Sequence, residues 1–244
     1  MKIETILSPN FSKKSRIKRK IKFVIIHYTG MQSEIESIKR LCNIKSKVSC
    51  HYLINKKGKI IQLVKNYRVA WHAGKSQWKN FVNLNENSIG IELENKGHKL
   101  GYENYTKIQI NNLIKLCKLL KRKYKIRQDF FLGHSDIAPL RKFDPGEKFP
   151  WKKLSKFKIG LWHNITMSGK IIYKFKKKDF KKFFFKNLYK IGYRYFSINK
   201  RNFKRDRLII RAFQQRYLPK KVTGVIDAKT LKISEFFANL QKSS

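Results

Sequence analysis

A chain of 244 residues is long enough for one domain with a sizeable core, or for a larger domain joined to a small one. Its 58 Lys and Arg against 15 Asp and Glu give a formal charge of +43 spread along nearly the whole sequence, which favours polyanionic partners such as nucleic acid, anionic lipid or an acidic wall polymer. No RNP signature, zinc finger or basic zipper accompanies that charge, the three cysteines (Cys42, Cys50, Cys117) lack CxxC spacing and read as buried thiols, residues 1–30 lack a secretory pattern, and no window approaches the ~18 apolar residues of a membrane span.

Lys22–His27 (KFVIIH) is a continuous apolar run rich in β-branched residues, as in a strand buried on both faces. It delivers His27 to a strand end just before Thr29-Gly30, where scaffolds present site residues to a cleft. Ser33 and Glu36 form a capping box, and Ile35, Ile38 and Leu41 carry a helix to about Asn43. Ser49–Asn55, a Lys56-Lys57-Gly58 turn and Lys59–Val64 read as a hairpin that joins the first strand in one sheet. Trp71 and His72 before Gly74 suggest a loop lining a pocket, or equally a structural Trp beside an incidental His. Ser88–Asn95 alternates so that Glu92 and Glu94 share one face, either as site carboxylates or as an ion-paired sheet face. Thr106 and Gln109 cap a second helix, in which Ile110, Leu113, Ile114, Cys117 and Leu120 keep a 3.6 period to about Lys123.

Phe130–Gly133 returns as a short strand into GHSDIAPLRKFDPG (Gly133–Gly146), which places an imidazole, carboxylates, a guanidinium and an ammonium within 14 residues. Its Gly and Pro residues predict a loop rather than a helix or strand. Such a loop can aim His134 and Asp144 at one point, and a catalytic zinc needs about three protein ligands with one position left for water. A third ligand must then come from elsewhere; the plain alternative is a pair of hydrogen-bonded loop residues. Farther on, Lys174–Lys186 (KFKKKDFKKFFFK) reads as a partly buried helix with an aromatic face, a membrane- or polyanion-adhering patch being the alternative. Leu208–Tyr217 has helical spacing, Gly224 makes a turn, and Asp227 caps a closing helix.

The fragments FVIIHYTG, VSCHYLINKKGKIIQLV, RVAWHAG, NSIGIELEN and GHSDIAPLRKFDPG, in this order and at these separations, resemble the zinc-dependent N-acetylmuramoyl-L-alanine amidases of the type-2 amidase family. The resemblance implies an α/β fold with a central mixed β-sheet flanked by helices, shared with a phage lysozyme-amidase and with peptidoglycan recognition proteins. It implies one Zn2+ per chain on His27, His134 and Asp144, with Glu92 and Lys142 as catalytic residues. His72, Ala138 and Arg141 become candidate substrate contacts, Trp71 joins them as a pocket-lining residue, and His51 reads as structural. Tyr28 departs from relatives that have an asparagine there.

The AFQQRYLP…TGVIDAKTL pattern is similar to small three-helix peptidoglycan-binding domains. The expected organisation is therefore a basic segment over 1–19, a catalytic domain over 20–155, a linker over 156–178 and a small all-α domain over 179–244. The implied activity is hydrolysis of the amide between the lactyl group of N-acetylmuramic acid and L-alanine, in peptidoglycan or in muropeptides. A non-catalytic recognition protein is the alternative, against which the retention of Asp144, Glu92 and Lys142 argues. The expected partner is that substrate, an anionic wall or membrane surface being a second candidate, with no specific nucleic acid; the sequence leaves the oligomeric state open and favours a monomer. The wall-binding-like domain favours the cell envelope, and the absent export pattern favours the cytoplasm.

Overall fold

The computed structural model describes residues 2–13, 15–166, 179–200 and 202–241. Among them the strands are β1 (Ile3–Thr5), β2 (Phe11–Ser12), β3 (Phe23–Tyr28), β4 (Tyr52–Ile54), β5 (Ile60–Gln62), β6 (Val69–Ala70), β7 (Gln77–Trp78), β8 (Phe81–Val82), β9 (Ser88–Leu93) and β10 (Phe131–Gly133). The α-helices are α1 (Glu34–Cys42), α2 (Gly97–Leu100), α3 (Lys107–Tyr124), α4 (His134–Ile137), α5 (Trp151–Ser155), α6 (Phe180–Ile191), α7 (Phe203–Tyr217) and α8 (Ala228–Leu240).

Six strands form one sheet in the order β1-β5-β4-β9-β3-β10. β4, β9, β3 and β10 run parallel, β5 is antiparallel to β4, and β1 is parallel to β5, so the sheet is mixed and the fold is the expected α/β class. The N-terminal residues expected as a separate basic segment supply the edge strand β1 and also β2, which pairs with β6. From the same segment Arg16 is buried and donates to the carbonyls of Asn85, Glu86 and Ser88.

The apolar run in β3 has a simple cause. Val24 and Ile26 face α3, where they pack with Ile110, Leu113 and Leu120. Phe23 and Ile25 face the other way, into one cluster with Phe184 of α6, Phe213 of α7 and Phe237 of α8. A central strand covered on both sides leaves no polar position to alternate with. The C-terminal helices thus pack as a third layer over the sheet.

Local chemistry accounts for the helix boundaries. Thr106 and Asp227 cap α3 and α8 through their side chains, as their sequence positions imply. In α6, Phe180, Phe184 and Leu188 are buried at a four-residue spacing while Lys181, Lys182 and Lys186 are exposed, which is the partly buried aromatic helix expected there. Lys174–Lys178 of that stretch lie outside the described residues. Cys50 and Cys117 are buried, whereas Cys42 is only half-buried.

One expectation needs correction. His134–Ile137 forms a helical turn instead of irregular loop, because Asp136 Oδ2 reaches back to accept the Gly133 N–H at 2.7 Å. Pro139 then halts the helix.

A core shared by the sheet and the C-terminal helices makes them one cooperative unit. Phe213→Ala is expected to cost about 3–5 kcal/mol and to lower the midpoint of a single calorimetric transition. Two separable transitions, with only the minor one shifted, would contradict the shared core.

Candidate metal centre

Parallel pairing sets His27 of β3 opposite Glu92 of β9, at the carboxyl ends of both strands. β10 lies on the other side of β3 and ends at Gly133, so His134 emerges beside His27. The loop beyond α4 folds back through a 2.8 Å hydrogen bond from the Ser135 N–H to the Asp144 carbonyl. Three groups distant in sequence therefore converge where a parallel sheet presents its ligands.

The convergence is tight. His27 Nδ1 and His134 Nδ1 are 2.9 Å apart, and each is 3.0 Å from Asp144 Oδ2. All three residues are buried, and their donor atoms form a group able to hold a metal ion.

Their outer hydrogen bonds fix which nitrogens carry protons. His134 Nε2 meets the Ala73 carbonyl at 3.1 Å, a contact only an N–H can satisfy, which leaves the lone pair on Nδ1. Ser88 Oγ donates to the Leu84 carbonyl at 2.5 Å, so it accepts from His72 Nε2 at 3.2 Å. His72 Nδ1 must then accept from His27 Nε2 at 3.0 Å, and His27 too turns a bare Nδ1 inward. Two lone pairs and a carboxylate oxygen face one another with no hydrogen between them, an arrangement that a cation relieves. A tetrahedral zinc with ligand distances of ~2.0–2.1 Å sets ligand–ligand edges of ~3.3 Å, so the triangle needs to open by only a few tenths of an ångström.

The electrostatics suit such an ion. Burial pulls the His27 imidazole down to about 4, with His134 adding to the fall and Asp144 opposing it. Burial alone would raise the Asp144 carboxyl, but the charge and N–H that His134 or His27 presents to it when a proton stands in for the cation outweigh burial and hold the group well below the usual carboxylate range. Glu92 goes the other way: burial pushes it up to about 8, Asp144 adds to the rise, and the Lys142 charge opposes it. Glu92 Oε2 is buried without a hydrogen-bond partner. Among the described residues it is the orphaned carboxylate oxygen next to the three converging donors.

The other sequence candidates have contacts of their own. His72 lies behind His27, with both ring nitrogens engaged, and not on the open side of the site. The Trp71 indole N–H donates to Ser12 Oγ at 3.2 Å and ties the loop to β2. Ala138 is 2 % exposed and packs into the core cluster. The Arg141 guanidinium donates to the carbonyls of Ala73 and Lys75, bracing the loop that receives His134. His51 is structural, its Nδ1 accepting the Gly90 N–H at 3.0 Å. Glycine at 90 has its own reason: a Cβ there would sit 2.4 Å from the His72 ring.

Sequence reasoning missed Ser88, the terminus of the His27–His72 relay, and Asp136, which closes the turn after His134. Asp136 had a readable signal, an acid three residues after the Gly133 that starts the helix. Ser88 had none.

Residues 17–147 match the family described as N-acetylmuramoyl-L-alanine amidase. The chain belongs to this amidase family. It is 34% identical over 235 residues to the N-acetylmuramoyl-L-alanine amidase AmiD of Escherichia coli K12, an alignment spanning 88% of this chain and 82% of that protein. The 1,6-anhydro-N-acetylmuramyl-L-alanine amidase AmpD of Haemophilus influenzae is 39% identical, over 44% of this chain and 56% of its own length. Among solved structures, the E. coli AmiD complex with anhydro-N-acetylmuramic acid-L-Ala-D-gamma-Glu-L-Lys superposes with a TM-score of 0.79 at 30% identity, covering 94% of this chain and 93% of that one. AmpDh3 of Pseudomonas aeruginosa gives 0.77 at 26% identity, covering 98% and 99%. The likeness to these two amidases therefore runs through the C-terminal helices as well as the sheet.

The buried imidazoles of this amidase make a pH prediction. In metal-free protein His27, His51 and His72 are held below the ordinary histidine range, chiefly by burial. The unfolded chain therefore binds protons first as pH falls from 6.5 toward about 4, and stability is lost over that window. Glu92 has the opposite sign, since its raised pKa lets the native chain keep a proton that the unfolded chain has released. These three imidazoles, joined by the buried His163, whose pKa burial also lowers, outweigh one carboxyl and leave a net loss, each uncompensated proton costing about 1.4 kcal/mol per pH unit. Thermal melts in chelator should show Tm falling steadily from pH 6.5 to 5, and a rise over that interval would contradict the neutral-imidazole assignment.

Proposed function

We propose that the chain is a zinc-dependent amidase that cleaves the bond between the lactyl group of N-acetylmuramic acid and the L-alanine of a peptide stem, with one ion per chain on His27, His134 and Asp144. The observation that carries this reading is the set of two bare imidazole nitrogens and one carboxylate oxygen 2.9–3.0 Å apart in a buried pocket beside Glu92. The solved relatives AmiD and AmpDh3 are in complex with an anhydromuramyl peptide, and the same substrate class is carried here to this chain.

Zinc in such a site acts as a Lewis acid that acidifies water and polarises the amide carbonyl. Glu92 is the general base and then the general acid. Its partnerless Oε2 takes the proton of the attacking water and returns it to the leaving nitrogen, and a pKa raised by burial suits a group that must both accept and release a proton near neutrality. Lys142, whose charge is felt by Glu92, supplies a positive charge for the oxygen that becomes negative as the carbonyl turns tetrahedral. His72 and Ser88 keep the His27 lone pair pointed inward, which is the usual work of groups just outside a metal's ligands. The C-terminal helices enter this reading as a peptidoglycan-binding region, on their similarity in sequence to such domains.

With a synthetic anhydromuramyl tripeptide as substrate, the protein should release the free peptide, and a chelator should abolish that release until zinc is restored. Glu92→Gln is expected to lower kcat by about 10²–10⁴-fold with zinc content unchanged. A Gln variant that turns over at the wild-type rate would remove Glu92 from the mechanism.

A further inference from the structure

The reaction uses the two ends of the His134–Asp144 loop and gives no role to the buried polar groups that the C-terminal helices press against it. Asp136, two residues after His134, is 1 % exposed. Its Oδ2 accepts from the Gly133 N–H at 2.7 Å and from Arg216 Nη1 of α7, and its Oδ1 accepts from the Tyr193 hydroxyl at 2.6 Å. Arg216 Nη2 also donates to the Phe131 carbonyl of β10 at 3.0 Å, and the guanidinium lies 3.9 Å over the Trp151 ring. The neighbouring Gln215 sends its Nε2 to Glu147, three residues past Asp144, at 3.2 Å. The helical region therefore grips the strand before His134, the turn after it and the chain just beyond Asp144.

Cohesion alone does not call for this chemistry. A buried ion pair loses hydration on both charges, and apolar side chains of similar volume commonly hold a core as well. Phe213 and Tyr217 fill the same layer in that way. What a planar guanidinium adds is direction, because its fork fixes the relative positions of two acceptors. Here those acceptors are the Asp136 carboxylate and the Phe131 carbonyl, which bracket His134 on either side.

We propose that the C-terminal helical region is a built-in brace of the metal centre: Arg216, Tyr193 and Gln215 are positioning residues that hold His134 and Asp144 in the arrangement that receives the ion. This rests on the reading of His27, His134 and Asp144 as the metal ligands. It gives the AFQQRYLP stretch a double role. Gln214 Oε1 accepts the Thr223 and Gly224 N–H groups and fixes the turn inside the helical region, while Gln215 and Arg216 face the catalytic loop.

The test is zinc affinity of the full-length, metal-free protein, measured by competition with a chromophoric chelator and accompanied by the visible spectrum of the cobalt-substituted form. Wild-type protein should bind one ion per chain; failure to bind overturns the underlying site itself. Given that binding, Arg216→Met is expected to weaken zinc affinity by about 10- to 100-fold and to alter the cobalt bands. Tyr193→Phe and Gln215→Ala, which each remove a single donor, should weaken it by about 3- to 10-fold. Ile233→Val, in the buried core of α8 and with a side chain that can make no hydrogen bond to the loop, should lower Tm while leaving zinc affinity unchanged. Wild-type affinity in both Tyr193→Phe and Gln215→Ala would overturn the brace, even if Arg216→Met does not fold, and so would an equal loss of affinity in Ile233→Val.

Discussion

Two imidazole lone pairs and a carboxylate oxygen pointing at one another across about 3 Å is the constraint from which most of this molecule follows. Left alone, such a cluster repels. It is held together because each member is fixed from behind: His134 by the Ala73 carbonyl, His27 by the His72–Ser88 relay, and Asp144 by the backbone contact with Ser135. The cost of assembling three acceptors without a proton among them becomes binding energy for a cation. The same burial that keeps His27 neutral leaves it ready to coordinate without first losing a proton.

That preparation reaches deep into the fold. His27 belongs to a central strand whose two faces are packed by α3 on one side and by α6, α7 and α8 on the other. Arg16 and His51 tie the chain around β9, and Gly90 leaves the space that the His72 ring occupies. Glu92 shares the parallel register of His27 and is carried to the same edge. Rigid strands set the positions of Glu92 and His27, and a short, heavily hydrogen-bonded loop brings His134 and Asp144.

Much of this could be read from the sequence, for identifiable reasons. The strand at Lys22–His27, the capped helices starting after Ser33 and Thr106, and the alternation around Glu92 rest on local periodicity and side-chain capping, and such signals survive folding. The pairing of His134 with Asp144 was readable from the loop they share, but the addition of His27 was reachable only through resemblance, since nothing local links positions separated by more than a hundred residues. His72 and Trp71 read as pocket-lining because loops often carry function. Tertiary hydrogen bonds to His27 and Ser12 decide where those two side chains point, and those partners leave no trace in spacing. The helical turn at His134–Ile137 was hidden behind its flanking Gly and Pro, although Asp136 carried the capping signal. The contacts of Arg216 and Gln215 with the loop join elements about 70–80 residues apart and had no sequence signature at all.

On this geometry the three facing acceptors form a single cation site, with Glu92 beside it and outside the ligand set. Calorimetric titration of zinc into metal-free protein tests it most directly. The expected result is one ion per chain for wild type and for Glu92→Gln, with saturable binding lost in Asp144→Ala. Unchanged zinc binding by Asp144→Ala, or loss of binding in Glu92→Gln alone, would contradict it.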